Sequence, residues 1–225
     1  MPDIQFLGHS SFRIRGRDGI VLTDPYDRSV GLDIGKPTAH IVTISHAHPD
    51  HTNVAAVKPM REKLFTIEGP GEYEVGGVMI SGVQTYHDKK KGEELGRNTA
   101  YVVHIDDVVF CHLGDLGHEL SARQLEEIGA VDVLFLPVGG GETIGPAEAS
   151  NVIGQIEPRI VVPMHYAQEG QQQSFTTTQI GTLDAFLQEM GIKEPQVEDK
   201  LTITATNLPA EGEQTRIIVM RPSVS

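Results

Sequence analysis

The chain has 225 residues, 22% charged and 39% hydrophobic, with a formal net charge of −13 and a pI near 5.1. So acidic a balance weighs against nucleic acid as the main partner, because neutralising phosphates takes clustered Lys and Arg. The lone Cys111 cannot close an internal disulfide, no apolar run approaches the ~18 residues of a membrane span, and the start lacks a basic-then-apolar secretion pattern. A cytoplasmic protein without membrane insertion is expected.

Short β-branched and aromatic runs bounded by Gly, Pro and Asp recur along the chain. They predict strands at 4–9, 11–15, 20–24, 40–45, 78–86, 100–105, 108–113, 131–137, 159–164, 201–206 and 216–221. Asp106 and Asp107 suit a tight hairpin turn between two of these. Helical spacing predicts helices at 120–129, 146–156 and 182–190, the first and last stopped by Gly129 and Gly191, the second opened by Pro146. A short helix after Thr52 would be interrupted by Pro59. Strand-rich at first and alternating strand with helix later, this order predicts sheets covered by helices on their outer faces. No linker, low-complexity tract or tandem repeat divides it, so one domain spanning 1–225 is expected.

"ISHAHPDH" (44–51) carries the chemistry. In extended backbone, residues i and i+2 point the same way, so His46 and His48 can reach one ion. Pro49 sets up a turn that lets Asp50 and His51 serve a second position. Imidazole and carboxylate donors suit Zn²⁺, and also Mn²⁺ or Fe. Further ligands should lie where strands run out into loops. His87 does in "VQTYHDKKKG", Asp115 does in "VVFCHLGDLGH", and His165 does in "IVVPMHYAQ". A carboxylate such as Asp115 can bridge two cations. "IVTISH" and "IVVPMH" each deliver a histidine past an apolar run, a weak echo of two halves meeting at one site.

Other polar residues read differently. Cys111, inside a strand, is assigned to the core. His112 alternates with Asp115 and is expected to face away as a hydrogen-bonded structural residue. His9 lies near the site after Gly8 but is not counted as a ligand, since the set is full without it. His40 and His104 read as strand-edge residues, and His118 as mouth or loop. Tyr86 and Tyr166 flank ligand histidines and could donate a proton or pack in the core. The run "DKKKGEELGRN" (88–98) is a solvated loop, or a mobile rim whose Lys89, Lys90, Lys91 or Arg97 draws an anionic substrate. "GGGETIGP" (139–146) lacks the GK[ST] end of a P-loop and reads as a strand-to-helix loop near the site.

The order "FLGHSSF", "VLTDPY", "ISHAHPDH", "GPGEYEVGGVMI", "YHD", "HLGDLGH", "LPVGGGETIGPAEA" and "VPMHY" resembles the metallo-β-lactamase superfamily. Within it, the pattern is similar to the metal-dependent hydrolase branch that includes ascorbate-6-phosphate lactonase-like proteins. The resemblance covers about residues 4–168 and implies an α/β fold, a four-layer αβ/βα sandwich with the site at one edge. It implies two divalent metal ions, with His46, His48 and His87 on one, Asp50, His51 and His165 on the other, and Asp115 bridging. Asp24 matches the superfamily's early aspartate and is expected to orient a ligand histidine. Asp50 and Asp24 are the expected catalytic residues, Asp50 orienting a metal-activated water. Cleavage of an ester, lactone or phosphodiester in a small-molecule substrate is the leading expectation, and a homo-oligomer is compatible with it. The alternatives are a phosphodiesterase acting on RNA or phospholipid, and a non-catalytic metal-binding protein.

Overall fold

Alternation of side chains along short β-branched strands sets the architecture of the computed structural model, which describes residues 1–171, 179–204, 206–210 and 212–223. In chain order the strands are β1 (Asp3–Gly8), β2 (Ser11–Arg15), β3 (Ile20–Thr23), β4 (Thr38–Ala39), β5 (Ile41–Ile44), β6 (Lys58–Pro59), β7 (Phe65–Glu68) and β8 (Gly71–Val75). They continue as β9 (Val78–Tyr86), β10 (Arg97–Ile105), β11 (Val108–His112), β12 (Val133–Pro137), β13 (Ile160–Met164), β14 (Gln196–Glu198), β15 (Leu201–Thr202) and β16 (Arg216–Met220). The α-helices are α1 (Ala122–Ile128), α2 (Pro146–Ile156) and α3 (Leu183–Glu189).

Two mixed sheets face each other. One runs β15-β1-β2-β3-β5-β7 and the other β14-β16-β13-β12-β11-β10-β9-β8. On β3 and β5, Val21 and Ile41 point between the sheets, whereas Ile20, Leu22, Val42 and Ile44 point outward into a second apolar cluster. Both faces of these strands are therefore buried, which is why they read as continuous apolar runs. Phe12 ties the sheets together, stacking on Phe6 of β1 at 4.8 Å and on Phe135 of β12 at 4.1 Å between ring centroids. Aromatic pairs of this kind add about 0.5–1.5 kcal/mol each beyond the area they bury.

The three α-helices add Ile128, Val152, Ile153, Phe186 and Leu187 to the main core. Helix α1 starts on a capping box in which the Ser121 hydroxyl accepts from Gln124 N and the Gln124 side chain accepts from Ser121 N. Over the first sheet the expected helical cover is reduced, among the described residues, to single 3-10 turns at Arg28–Val30, Pro49–His51 and Val54–Ala56. The last stands where a short helix after Thr52 was expected. The layer order remains that of an αβ/βα sandwich.

Asp106 and Asp107 turn the β10–β11 hairpin with φ of 52° and 63°, the left-handed pair such a two-residue turn requires. The strand expected at 201–206 is realised only over Leu201–Thr202, and Ala205 lies outside the described residues. Strands β7, β8 and β14 escape the sequence pattern because each closes the edge of a sheet, where exposed polar residues dilute the alternation. No helix among the described residues is long and apolar enough to cross a membrane.

Candidate metal centre

Parallel pairing gathers strand ends at one edge. Strands β3, β5 and β7 run parallel in the first sheet, and β11, β12 and β13 in the second. Ligand sites in α/β sheets form outside such carboxyl ends. Asp24 follows β3, His46 follows β5, His87 follows β9, Asp115 follows β11 and His165 follows β13. His9, Asp24 and His165 all adopt positive φ, at 54°, 39° and 50°. For non-glycine residues this left-handed backbone costs free energy, and it turns each side chain sharply out of its strand. The strand ends are also tied across the two sheets: His165 N donates to His9 O at 3.0 Å and Thr99 N to Ser45 O at 2.8 Å.

His46, His48 and His87 form one group whose ligand atoms lie within 4.8 Å of one another. His46 and His87 are buried and His48 is half-buried, so the group meets solvent at His48. The outer nitrogens are fixed by the protein. His46 Nδ1 lies 2.9 Å from Ser45 Oγ, and His87 Nδ1 lies 3.1 Å from the Glu142 carbonyl, a bond in which only the ring can donate. Their inner Nε2 atoms have no hydrogen-bond partner. The "GGGETIGP" loop thus reaches the site through the backbone of Glu142. Gly117 lets the chain pack there: a Cβ on it would stand 2.3 Å from the His87 carbonyl carbon.

Asp50, His51 and His165 form the second group, and His9 joins them. The 3-10 turn Pro49–His51 brings Asp50 and His51 beside His9 and His165, with the His51 ring still 4.2 Å from that of His46 between centroids. Asp24, fully buried, accepts from Ser45 N at 2.8 Å, from Ser45 Oγ at 2.5 Å and from His51 Nδ1 at 2.9 Å. His51 Nε2 is left facing inward without a hydrogen-bond partner. Asp115 stands between the groups. Its Oδ2 is 3.2 Å from Nε2 of both His87 and His165, 3.3 Å from His51 Nε2 and 3.7 Å from His46 Nε2. Its Oδ1 is buried without a hydrogen-bond partner.

Such a cluster needs cations. Burial alone would raise the Asp115 carboxyl, but the charges of His165 and His51 hold it well below its usual range. Burial likewise opposes charge on His51, yet Asp115, Asp50 and Asp24 drive its imidazole well above the usual value. Asp50 and Asp24 are lowered against their burial, with His51 the leading cause in each. Burial pushes His46 well down, aided by His51. Three buried carboxylates therefore press positive charge onto one imidazole, although inward lone pairs surround them. Divalent cations of the Zn²⁺ type fit that donor set, since they would satisfy both the carboxylates and the orphaned nitrogens.

His112 is held apart from the cluster. Its Nε2 lies 2.8 Å from Ser10 O and its Nδ1 accepts from Gly114 N at 3.2 Å, in keeping with the structural reading. His118 accepts from Tyr86 N and bonds the Glu119 carbonyl, a loop clasp. Tyr166 packs against Phe6, and burial pushes its phenol up to about 12. Burial also raises the Cys111 thiol to about 12, an unreactive core residue. The 88–98 run is an ordered loop that enters β10 at Arg97: the Asp88 carboxylate accepts from the backbone N–H groups of Lys90, Gly92, Glu94 and Leu95. Lys89 pairs with Glu148 and Lys90 with Glu94, leaving Lys91 and Arg97 as its exposed cations without an ion pair among the described residues. Sequence reasoning missed Ser45 and Glu142, because a neighbouring hydroxyl and a backbone carbonyl carry no motif.

A family model described as "Beta-lactamase superfamily domain" matches residues 3–165. The chain belongs to the beta-lactamase superfamily. It is 32% identical over 191 residues to a UPF0173 metal-dependent hydrolase of Thermococcus onnurineus, covering 74% of this chain and 85% of the relative. A Pyrococcus horikoshii protein of the same description is 30% identical over 192 residues, with the same coverage. A Thermotoga maritima crystal structure, assigned to a Zn-dependent hydrolase of the metallo-beta-lactamase superfamily, superposes with a TM-score of 0.76 at 33% identity and covers 98% of both chains.

Proposed function

We propose that this chain is a metal-dependent hydrolase that uses two divalent cations to cleave an ester, lactone or phosphodiester bond in a small substrate. Its carrying observation is the set of buried inward nitrogens on His46, His51 and His87 that make no hydrogen bond and crowd round the Asp115 carboxylate, while Ser45, Asp24 and Glu142 fix the opposite ring atoms. Fixing one ring nitrogen from outside is how proteins prepare the other for a metal. His46, His48 and His87 are assigned to one cation, Asp50, His51 and His165 to the other, and Asp115 to both. Zn²⁺ suits this nitrogen-rich set best, with Mn²⁺ or Fe compatible. When bound, the pair supplies Lewis acidity and lowers the pKa of a water from 15.7 towards about 7.

The residues divide the remaining work. Asp50 Oδ2, 3.4 Å from His51 Nε2, reaches the heart of the second group and is placed to orient the attacking water and hold its proton. Asp24 orients His51. Substrate enters at half-buried His48. The net charge of −13 argues against an RNA substrate, and the two lysines already paired in the 88–98 loop leave Lys91 and Arg97 to attract an anionic group. The kinship with proteins named metal-dependent hydrolases supports catalysis over a purely metal-binding role.

A panel of lactones, p-nitrophenyl esters and bis-p-nitrophenyl phosphate, assayed on Zn²⁺- or Mn²⁺-loaded protein, tests this reading. At least one class should turn over, and both chelation and Asp50→Asn should abolish most of that turnover. Full metal occupancy with no turnover of any class would favour the non-catalytic reading instead.

A further inference from the structure

His9 has no task in the scheme above. Its residue position follows a break in the β1–β2 register at Phe6/Gly8, where Gly8 adopts φ of 108° and the chain bends towards the site. Bulky side chains are barred at Gly8, since a Cβ there would stand 2.8 Å from the Tyr26 hydroxyl. The ring of His9 is buried, with centroids 4.6 Å from His165 and 5.0 Å from His51. On distance alone its Nε2 could be a ligand.

A backbone-anchored chain of hydrogen bonds decides otherwise. Gln168 N donates to Gln171 Oε1 at 2.9 Å, which fixes which end of that amide is oxygen. The opposite end, Gln171 Nε2, stands 3.2 Å from His9 Nδ1. An amide nitrogen can only donate, so Nδ1 accepts, and the proton of the neutral ring sits on Nε2. His9 Nε2 is 3.1 Å from Asp50 Oδ2. Backbone bonds hold the ring's base: His9 N donates to Gln168 Oε1 at 2.8 Å, and His9 O accepts from His165 N at 3.0 Å.

We propose that His9 is a positioning residue rather than a metal ligand: its Nε2–H holds the Asp50 carboxylate, in a tautomer set by Gln171. A nitrogen that carries this proton has no lone pair to give a cation. The bond occupies one side of Asp50 Oδ2 and so directs the carboxylate's remaining lone pairs into the centre. This inference rests on the role assigned to Asp50 above. It also makes the segment just beyond His165 part of the site's support.

The direct test is the ¹⁵N spectrum of the histidine rings in protein loaded with ¹¹³Cd²⁺ in place of zinc. His9 should show a protonated Nε2, an unprotonated Nδ1 and no coupling to cadmium. A protonated Nδ1, or cadmium coupling at Nε2, would overturn the proposal whether or not the protein turns over any substrate. Gln171→Glu supplies a second arm, since Gln171 is only half-buried and its carboxylate would accept from Nδ1. That variant should protonate Nδ1 as well, leaving a charged ring between two carboxylates that weakens Asp50 as a base and lowers kcat about tenfold on any substrate the panel identifies, the lower end of what outer-shell partners usually contribute. KM and cadmium stoichiometry should stay unchanged. An Nδ1 that stays unprotonated in Gln171→Glu would equally count against the proposal.

Discussion

Asp24 and His51 are joined Oδ2 to Nδ1 at 2.9 Å, with both side chains fully buried. Neither could sit there alone, since an unpaired buried charge is costly. Asp24→Asn keeps an oxygen for Ser45 N but presents N–H to His51 Nδ1. It should leave the fold intact and weaken metal binding about 10–100-fold at the position served by His51. Competition titration with a chromophoric chelator reads this, and an unchanged affinity would remove Asp24 from the orienting role.

Gly117→Ala tests the close approach behind His87. The added Cβ would meet backbone carbonyl atoms at 2.3 Å, so the chain itself must move. Overpacking of this kind costs about 1–3 kcal/mol, or roughly 2–4 °C of Tm per kcal/mol in a domain of this size. Because the strain falls on His87, metal affinity should drop together with Tm. A variant that loses Tm but keeps full affinity would show that Gly117 serves stability alone.

Removing the Asp88 carboxylate should loosen the 88–98 loop. Burial alone would raise this group, but four backbone N–H donors lower it from 3.8 to about 2. Since its folded value lies below its unfolded value, the stability it adds is complete above 3.8 and disappears as pH falls towards about 2. Metal-free wild type should therefore melt above Asp88→Asn near neutral pH, with the gap narrowing below about pH 4. A gap that does not change with pH would mean that the charge on Asp88 is not what organises the loop.

Cys111→Ala should leave metal content and turnover unchanged, since the thiol is buried and its ionisation is suppressed. Its cost should appear only in Tm. Loss of turnover with metal retained would implicate the thiol in the reaction.

Much of the site was legible because metal chemistry is written in residue types. In "HAHPDH" the period-two backbone and the Pro turn were read as putting His46 and His48 in one group and Asp50 and His51 in another; the ligand atoms gather in such groups, and His46 also meets His51 and Asp24. His87, Asp115 and His165 were found as polar residues where apolar runs end. The echo of "IVTISH" in "IVVPMH" corresponds to two parallel strands in different sheets. What stayed hidden depends on geometry that spacing does not encode. His9 was placed near the site after Gly8, but its contact with the second group depends on a strand irregularity and a left-handed backbone. Glu142 acts through a carbonyl, and the Gln168–Gln171 pair acts through the orientation of an amide. In the fold, edge strands β7, β8 and β14 lacked apolar contrast, and the cover of the first sheet was too short to show helical periodicity.

Two cations sharing Asp115 are what the proposed function requires of this cluster. Metal-to-protein ratio, measured by plasma mass spectrometry after zinc loading and exhaustive dialysis, tests this most directly when wild type is run beside Asp115→Asn. Two zinc ions per chain in wild type, with a clear loss from the variant, is the predicted result. Substoichiometric zinc in the folded wild type, or two ions retained without Asp115, would contradict it.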